Sequence, residues 1–200
     1  MVGLLAPKTK TDRSSNKGFC DRRKSARLVE ALKNIKPLGF KVQRILDYGC
    51  GVKSPAISNL HEVSNKVFLY AYDLRFLSSD PYYSYAARNW HGNPDALLIK
   101  EKLTDWTKTP YFRDDRGGCF THILASNVIN VQSSVGQLKE VFNEIRYSLK
   151  IGGVFLFNYP KSPNKLDLSL CELFNIVVNE FSTAQRKSVD YKTGVFTIIK

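Results

Sequence analysis

The sequence predicts an α/β fold: a doubly wound, mainly parallel seven-stranded sheet with helices on both faces and an antiparallel C-terminal hairpin. Three observations carry this expectation. Strand-like and helix-like segments alternate from about Val42 onward, the first strand runs into a two-glycine turn, and the last two strand-like pieces flank a hairpin turn. The chain has 200 residues, enough for one such domain and little more. Apolar residues at 43% and charged residues at 24% are globular proportions, which exclude wholesale disorder.

Residues 1–24 lack apolar periodicity and carry Lys8, Lys10, Arg13, Lys17, Arg22, Arg23 and Lys24, so they are expected to form a flexible basic arm. The folded domain is expected over 25–200. From about Ser25, Leu28, Leu32 and Ile35 recur at helical spacing, and Pro37-Leu-Gly39 ends that helix. Val42 to Tyr48 reads as the first strand and breaks at Gly49-Cys-Gly51. Ser54-Pro55 supplies an N-cap and a first-turn proline for a helix through about Val63. Val67 to Tyr72 is a second strand ending at Asp73. The aromatic, Pro-containing stretch from Leu74 to Pro94 has no clear period.

Ala96 to Lys102 is expected as the third strand and Phe120 to Ala125 as the fourth. An amphipathic helix follows, with Val135, Leu138, Val141, Ile145 and Leu149 on its inner face; Gly152-Gly153 is expected to close it before a fifth strand, Val154 to Phe157. Leu168 to Phe181 reads as a helix. Two β-like pieces, about Thr183–Val189 and Gly194–Ile199, are joined by the turn Asp190-Tyr-Lys-Thr-Gly194.

The formal net charge is +12, and residues 1–44 hold twelve Lys/Arg against three Asp/Glu, so most of the surplus sits at the front. Such a front attracts polyanions, and nucleic acid is the expected partner. Cys20, Cys50, Cys119 and Cys171 show no Cys-x-x-Cys spacing, so reduced thiols are expected rather than a zinc knuckle or disulfide framework. His61, His91 and His122 are spread without metal-ligand spacing, and no metal is expected. The apolar start is too short for a secretory signal. The uncharged stretch Phe120–Leu138 contains His122, Asn127, Asn130 and Gln132, which unsuits it to a bilayer. These features predict a soluble cytoplasmic protein with no membrane partner; composition does not set the oligomeric state.

The informative segment is Ile45-Leu-Asp47-Tyr-Gly49-Cys-Gly51 between a strand and a helix. Two glycines in a tight turn let backbone approach a ligand, and a following helix N-terminus offers amide donors. Twenty-two residues after Gly51, the second strand ends in Asp73. In a doubly wound sheet those strand ends are neighbours at the carboxyl edge, where a carboxylate can accept both hydroxyls of a ribose.

Asp47-x-Gly49-x-Gly51 after a hydrophobic strand, with Asp73 closing the next, resembles the S-adenosylmethionine-binding signature of class I methyltransferases. The likeness runs on through Leu103-Thr-Asp105-Trp106, His122-Ile-Leu-Ala-Ser126-Asn127, Leu149-Lys-Ile-Gly-Gly153-Val-Phe-Leu and the terminal hairpin, over about residues 42–200. It implies S-adenosylmethionine as cofactor, with contacts from Asp47, Gly49, Gly51, Asp73, Asp105 (facing the adenine amino group) and Ser126. Ser126-Asn-Val-Ile-Asn130-Val-Gln with Phe157-Asn-Tyr-Pro160 also resembles small methyltransferase-like proteins of tailed bacteriophages; a viral origin would place the protein in the host cytoplasm.

The chain departs from several patterns. Lys53 stands where the family often has a third glycine, and serine at position 54 departs from the Gly-x-Gly-x-x-Gly of dehydrogenases. No Pro-Cys pair exists for cytosine C5 chemistry, and Ser126-Asn-Val-Ile stands where amino-methylating DNA enzymes carry an Asp/Asn-Pro-Pro-Tyr/Phe box. Asp80-Pro-Tyr-Tyr83 approaches that box in letters but follows the second strand, where a loop with aromatic packing is expected. The Lys-Asp-Lys-Glu set of ribose 2′-O-methyltransferases is not recognisable.

Methyl transfer from a sulfonium mainly needs an in-line nucleophile and the removal of one proton, so no universal side chain marks it. The catalytic candidates are the loop residues at the sheet's carboxyl edge: Asn127, Asn130, Asn158 and Tyr159. An asparagine carbonyl can orient an attacking amine and a tyrosine can stack on a base; the alternative is that these amides cap backbone. Trp90, Trp106, Tyr82, Tyr83 and Tyr85 divide between a base-binding surface and core packing. Three functions stay open: a nucleic-acid methyltransferase, a methyltransferase of a protein or small molecule, and a non-catalytic binding module of the same fold, in a viral assembly or against a host factor.

Overall fold

The computed structural model describes residues 40–52, 54, 57, 67–108, 117–160 and 165–200. The expected basic arm, the helix from Ser25 and most of the segment after Ser54 lie outside the described residues. Strands β1 (Gln43–Tyr48), β2 (Val67–Tyr72), β3 (Ala96–Leu98), β4 (Phe120–Ala125), β5 (Leu149–Asn158), β6 (Arg186–Asp190) and β7 (Val195–Ile199) form one sheet in the order β3-β2-β1-β4-β5-β7-β6. The pairs β1–β2, β2–β3, β1–β4 and β4–β5 are parallel, whereas β7 runs antiparallel to both β5 and β6. This is the expected doubly wound sheet with its C-terminal hairpin. β2 and β3 lie to one side of β1 and β4 and β5 to the other, so the strand order reverses at β1, the kind of switch point at whose carboxyl edge α/β sheets bind ligands.

Central parallel strands are covered on both faces and therefore read as nearly continuous apolar runs. β1 is buried from Ile45 to Tyr48 and all six residues of β4 are buried. Helices α1 (Pro81–Arg88), α2 (Leu103–Trp106), α3 (Val135–Ser148) and α4 (Leu170–Glu180) accompany the sheet. On one face, Leu138, Phe142 and Ile145 of α3 and Leu173 and Val177 of α4 pack with Leu46, Ile123, Phe155 and Phe157. On the other, Ile57, Phe76 and Trp90 pack with Ile45, Ala71, Leu124 and Leu156. Trp106 stacks on Phe120 at 5.4 Å, and Tyr83 is buried, so both aromatics serve packing; Tyr82 and Tyr85 are exposed.

Helix ends follow local chemistry. Ser169 and Glu172 form a capping box at the start of α4, and Ser134 accepts from the Gln137 amide at the start of α3. The carbonyls at the end of α3 are satisfied from far away: Lys200 Nζ donates to Arg146 O at 2.6 Å and Leu149 O at 2.7 Å. The ends of β1 and β2 are tied down by α3, since Tyr48 donates to Glu144 Oε2 at 2.5 Å and Tyr72 to Oε1 at 3.5 Å. Burial raises the Glu144 carboxyl above its usual range although both hydroxyls oppose this.

Four local expectations are corrected. Asp80-Pro-Tyr-Tyr83 is not a loop: Asp80 caps α1 by accepting from the Tyr82 amide at 2.9 Å, with Pro81 in the first turn. The third strand stops at Leu98, because Ile99 onward leads into α2 rather than continuing to Lys102. Gly152-Gly153 does not close α3; that helix ends at Ser148, and the glycines lie inside β5 beside a register shift against β4. Glycines within a strand pattern mark such irregularities as readily as they mark helix ends. Val135, expected on the inner face of its helix, is exposed at the first turn.

His122 lies buried in β4 with Nδ1 2.9 Å from Thr121 Oγ1, and burial lowers its pKa from 6.5 to about 4. A depressed folded pKa gives stability that is present above the unfolded value and lost as pH falls through the folded one. Between pH 6.5 and 4, wild type should therefore lose about 3 kcal/mol more than His122→Gln does, read from urea midpoints at each pH. Parallel losses in the two proteins would show that His122 protonates freely in the folded state.

Candidate functional site

The carboxyl ends of β1 and β2 meet at the turn Gly49–Gly51, and Val128, beyond β4, lies against Gly49. The parallel register sets Asp47 beside Ala71 on β2 and beside Leu124 on β4, and sets Tyr48 beside Tyr72. Gly49 (φ +72°) and Gly51 (φ +56°) both take left-handed backbone, which side chains resist. The turn hangs on the end of β2: the Gly49 and Cys50 amides donate to Tyr72 O at 2.7 and 3.1 Å. The Gly51 amide then donates to Asp73 Oδ2 at 3.0 Å, which joins the glycine turn to the acid that closes β2. Among the described residues, a Cβ built on Gly51 meets no atom within 4 Å.

Asp47 is buried, and its Oδ2 accepts from Ser54 Oγ at 2.8 Å. Ser54 takes left-handed backbone (φ +42°) and its hydroxyl donates to Asp47; the helix it is expected to cap lies outside the described residues. Asp73 is also buried. Oδ1 accepts from the Arg75 amide at 3.0 Å and Arg75 Nε at 2.9 Å, while Oδ2 accepts from Arg75 Nη2 at 2.7 Å. Burial pushes the Asp73 carboxyl up, but the Arg75 charge and the hydrogen bonds from Arg75 and Gly51 outweigh it and hold the pKa below its ordinary value. Burial, followed by the Asp73 and Asp47 charges, drives Cys50 well above the usual thiol range, so it is a thiol and not a nucleophile.

Around these residues stand partners that spacing does not reveal. Trp90 Nε1 donates to Gly51 O at 3.1 Å, and the His91 amide to Val52 O at 3.0 Å, so the segment after α1 clasps the glycine turn. Trp90 is thus part of the turn's support. An arginine two residues beyond a strand-closing acid was the signal for Arg75; a tryptophan 39 residues from its partner left none.

Asn127 follows β4 in left-handed backbone (φ +58°), and its amide donates to Asn158 Oδ1 at 2.8 Å. Asn158 Nδ2 returns a bond to Asn127 Oδ1 at 3.0 Å. Two of the expected catalytic residues are therefore brought together. Asn130 is fully buried and its carbonyl accepts from the Lys165 amide at 2.9 Å. Tyr159 is buried, its hydroxyl accepting from the Leu168 amide at 3.3 Å. Ser126 is half-buried directly after β4. Asp105 lies in α2 with its side chain 56% exposed and pairs with Lys108 at 3.1 Å.

No protein-family model matches the chain, and no curated protein matches it in sequence. Solved structures do match in fold. The plantazolicin methyltransferase BpumL, in complex with S-adenosylhomocysteine, is 12% identical with a TM-score of 0.60, covering 98% of this chain and 92% of its own. CalS10, an amino pentose methyltransferase from Micromonospora echinaspora with S-adenosylmethionine bound, is 12% identical with a TM-score of 0.57 over 100% and 99% of the two chains. A TehB-like S-adenosylmethionine-dependent methyltransferase from Corynebacterium glutamicum is 14% identical with a TM-score of 0.56 over 94% and 99%. Sheet order, strand directions and these likenesses agree: the chain has the class I methyltransferase fold.

Proposed function

We propose that this protein is an S-adenosylmethionine-dependent methyltransferase that acts on nucleic acid. The observation that carries the cofactor reading is the junction at the switch point, where the Gly51 amide meets the Asp73 carboxylate and no described residue crowds the Gly51 Cβ position. A nucleoside fits these residues: Asp73 suits the ribose hydroxyls, and Gly49 and Gly51 allow close approach of the chain. Asp47, through Ser54, braces the turn, and Ser126 and Asp105 are the further contacts that the resemblance suggests.

When bound, the cofactor's sulfonium supplies an electrophilic methyl group, and the chain's own task is to hold a nucleophile in line. The Asn127–Asn158 pair fixes the β4 exit loop against the end of β5 and is the candidate for orienting that nucleophile. Asn130 and Tyr159 hold the same loops through backbone groups, and Tyr159 does so from within the core rather than by stacking on a base.

The nucleic-acid reading is supported by the concentration of Lys and Arg before the domain, and the resemblance to phage proteins would put the substrate in a host cytoplasm. A small-molecule substrate is the second reading, favoured by the likeness to CalS10, an amino pentose methyltransferase. One experiment separates them: methyl-labelled cofactor is incubated with DNA, RNA and host-extract pools, and binding to labelled DNA and RNA is titrated against salt. If the arm neutralises phosphates, log affinity falls linearly with log salt by about 0.9 per contact on duplex or 0.7 on single strands. Deleting 1–24 removes seven Lys/Arg and two Asp and should flatten that slope by several contacts. Label in an extract's small-molecule fraction, with weak and equal slopes, would refute the nucleic-acid reading.

A further inference from the structure

We infer that Arg75 is a latch on the ribose subsite: its guanidinium occupies Asp73 in the resting protein and the incoming ribose diol displaces it. The inference rests on the cofactor reading above. A carboxylate offers about four lone-pair sites. In Asp73 four donors fill them: the amides of Gly51 and Arg75, and Arg75 Nε and Nη2. A ribose that donates two hydroxyls must therefore remove two of these donors. The two amides belong to the glycine turn and to the 3-10 turn Leu74–Leu77 and cannot leave without unmaking them. The guanidinium can leave, because the Arg75 side chain is 28% exposed whereas Asp73 is 3% exposed. Arg75 Cζ already lies 5.5 Å from the Tyr83 ring centroid, so that face can keep hold of the cation after it swings away.

The latch makes affinity depend on the fraction of molecules in which Asp73 is free. With an open population of about a tenth, Arg75→Ala should bind S-adenosylhomocysteine roughly tenfold more tightly than wild type. This ligand lacks the sulfonium charge, so simple repulsion by Arg75 does not contribute. Arg75→Lys, which keeps the charge but not the fork, should gain less. The gain belongs to the diol: the 2′,3′-dideoxy analogue should bind wild type and Arg75→Ala equally, since it leaves the guanidinium in place. A merely structural Arg75 would move both ligands together.

The test is calorimetric titration of both ligands into full-length wild type, Arg75→Ala and Arg75→Lys, with a thermal melt of each. Tighter binding of the diol ligand alone, or binding seen in Arg75→Ala when wild type shows none, supports the latch. Unchanged or weaker binding by the two folded variants, or an equal gain for the dideoxy ligand, overturns the latch and leaves the cofactor reading standing. Absence of binding in all three proteins overturns both.

Discussion

Asp73→Ala should weaken S-adenosylhomocysteine binding by about 1–3 kcal/mol, roughly five- to 150-fold, because two ribose hydroxyls are left buried without an acceptor. The geometry adds a second consequence. The same substitution strips the Gly51 amide and the Arg75 guanidinium of their partner, so the melting temperature should fall as well. Asp73→Asn keeps the shape and one acceptor oxygen, and should lie between wild type and Asp73→Ala in affinity. In the double variant Asp73→Ala/Arg75→Ala, the gain from removing Arg75 should vanish, since there is no longer a carboxylate to release. Equal binding by wild type and a folded Asp73→Ala would place the cofactor elsewhere.

Gly51→Val should abolish cofactor binding while leaving a folded protein. The left-handed backbone at φ +56° costs a side chain about 1–2 kcal/mol, but among the described residues no neighbouring atom lies within 4 Å of the new Cβ. The side chain therefore fills the space beside the amide rather than the core. Gly49 makes the contrasting control. There a Cβ would come within 2.4 Å of Val128 Cγ2, so Gly49→Ala should damage the fold itself. Circular dichroism melts and calorimetry on the two variants separate the roles: Gly51→Val cooperative but blind to ligand, Gly49→Ala with a lowered melting temperature. Normal binding by Gly51→Val would refute the close approach of ligand to this turn.

The order of elements was legible in the chain because it depends on neighbours in sequence. Apolar runs at Ile45–Tyr48, Val67–Tyr72 and Phe120–Ala125 mark strands buried on both faces. Ser169 with Glu172 marks a helix start, and Asp190 to Gly194 a hairpin turn. The spacing from Gly51 to Asp73 was equally legible, since one crossover separates two adjacent parallel strands. Local chemistry misled where one signature serves two structures. Asp-Pro opens α1 as readily as it opens a catalytic loop, and paired glycines bend β5 as readily as they end a helix.

Only the tertiary structure decided which polar groups the site residues meet. Strand register brings Asn127 to Asn158 across 31 positions, and the path after α1 brings Trp90 to Gly51 across 39. Register is fixed by core packing on both faces of the sheet, which no local window contains. Asp73 combines a local partner with a distant one. Its spacing marks it as a ribose acceptor and Arg75 follows it by two residues, but the fold buries the carboxylate and brings the Gly51 amide to it from 22 positions away.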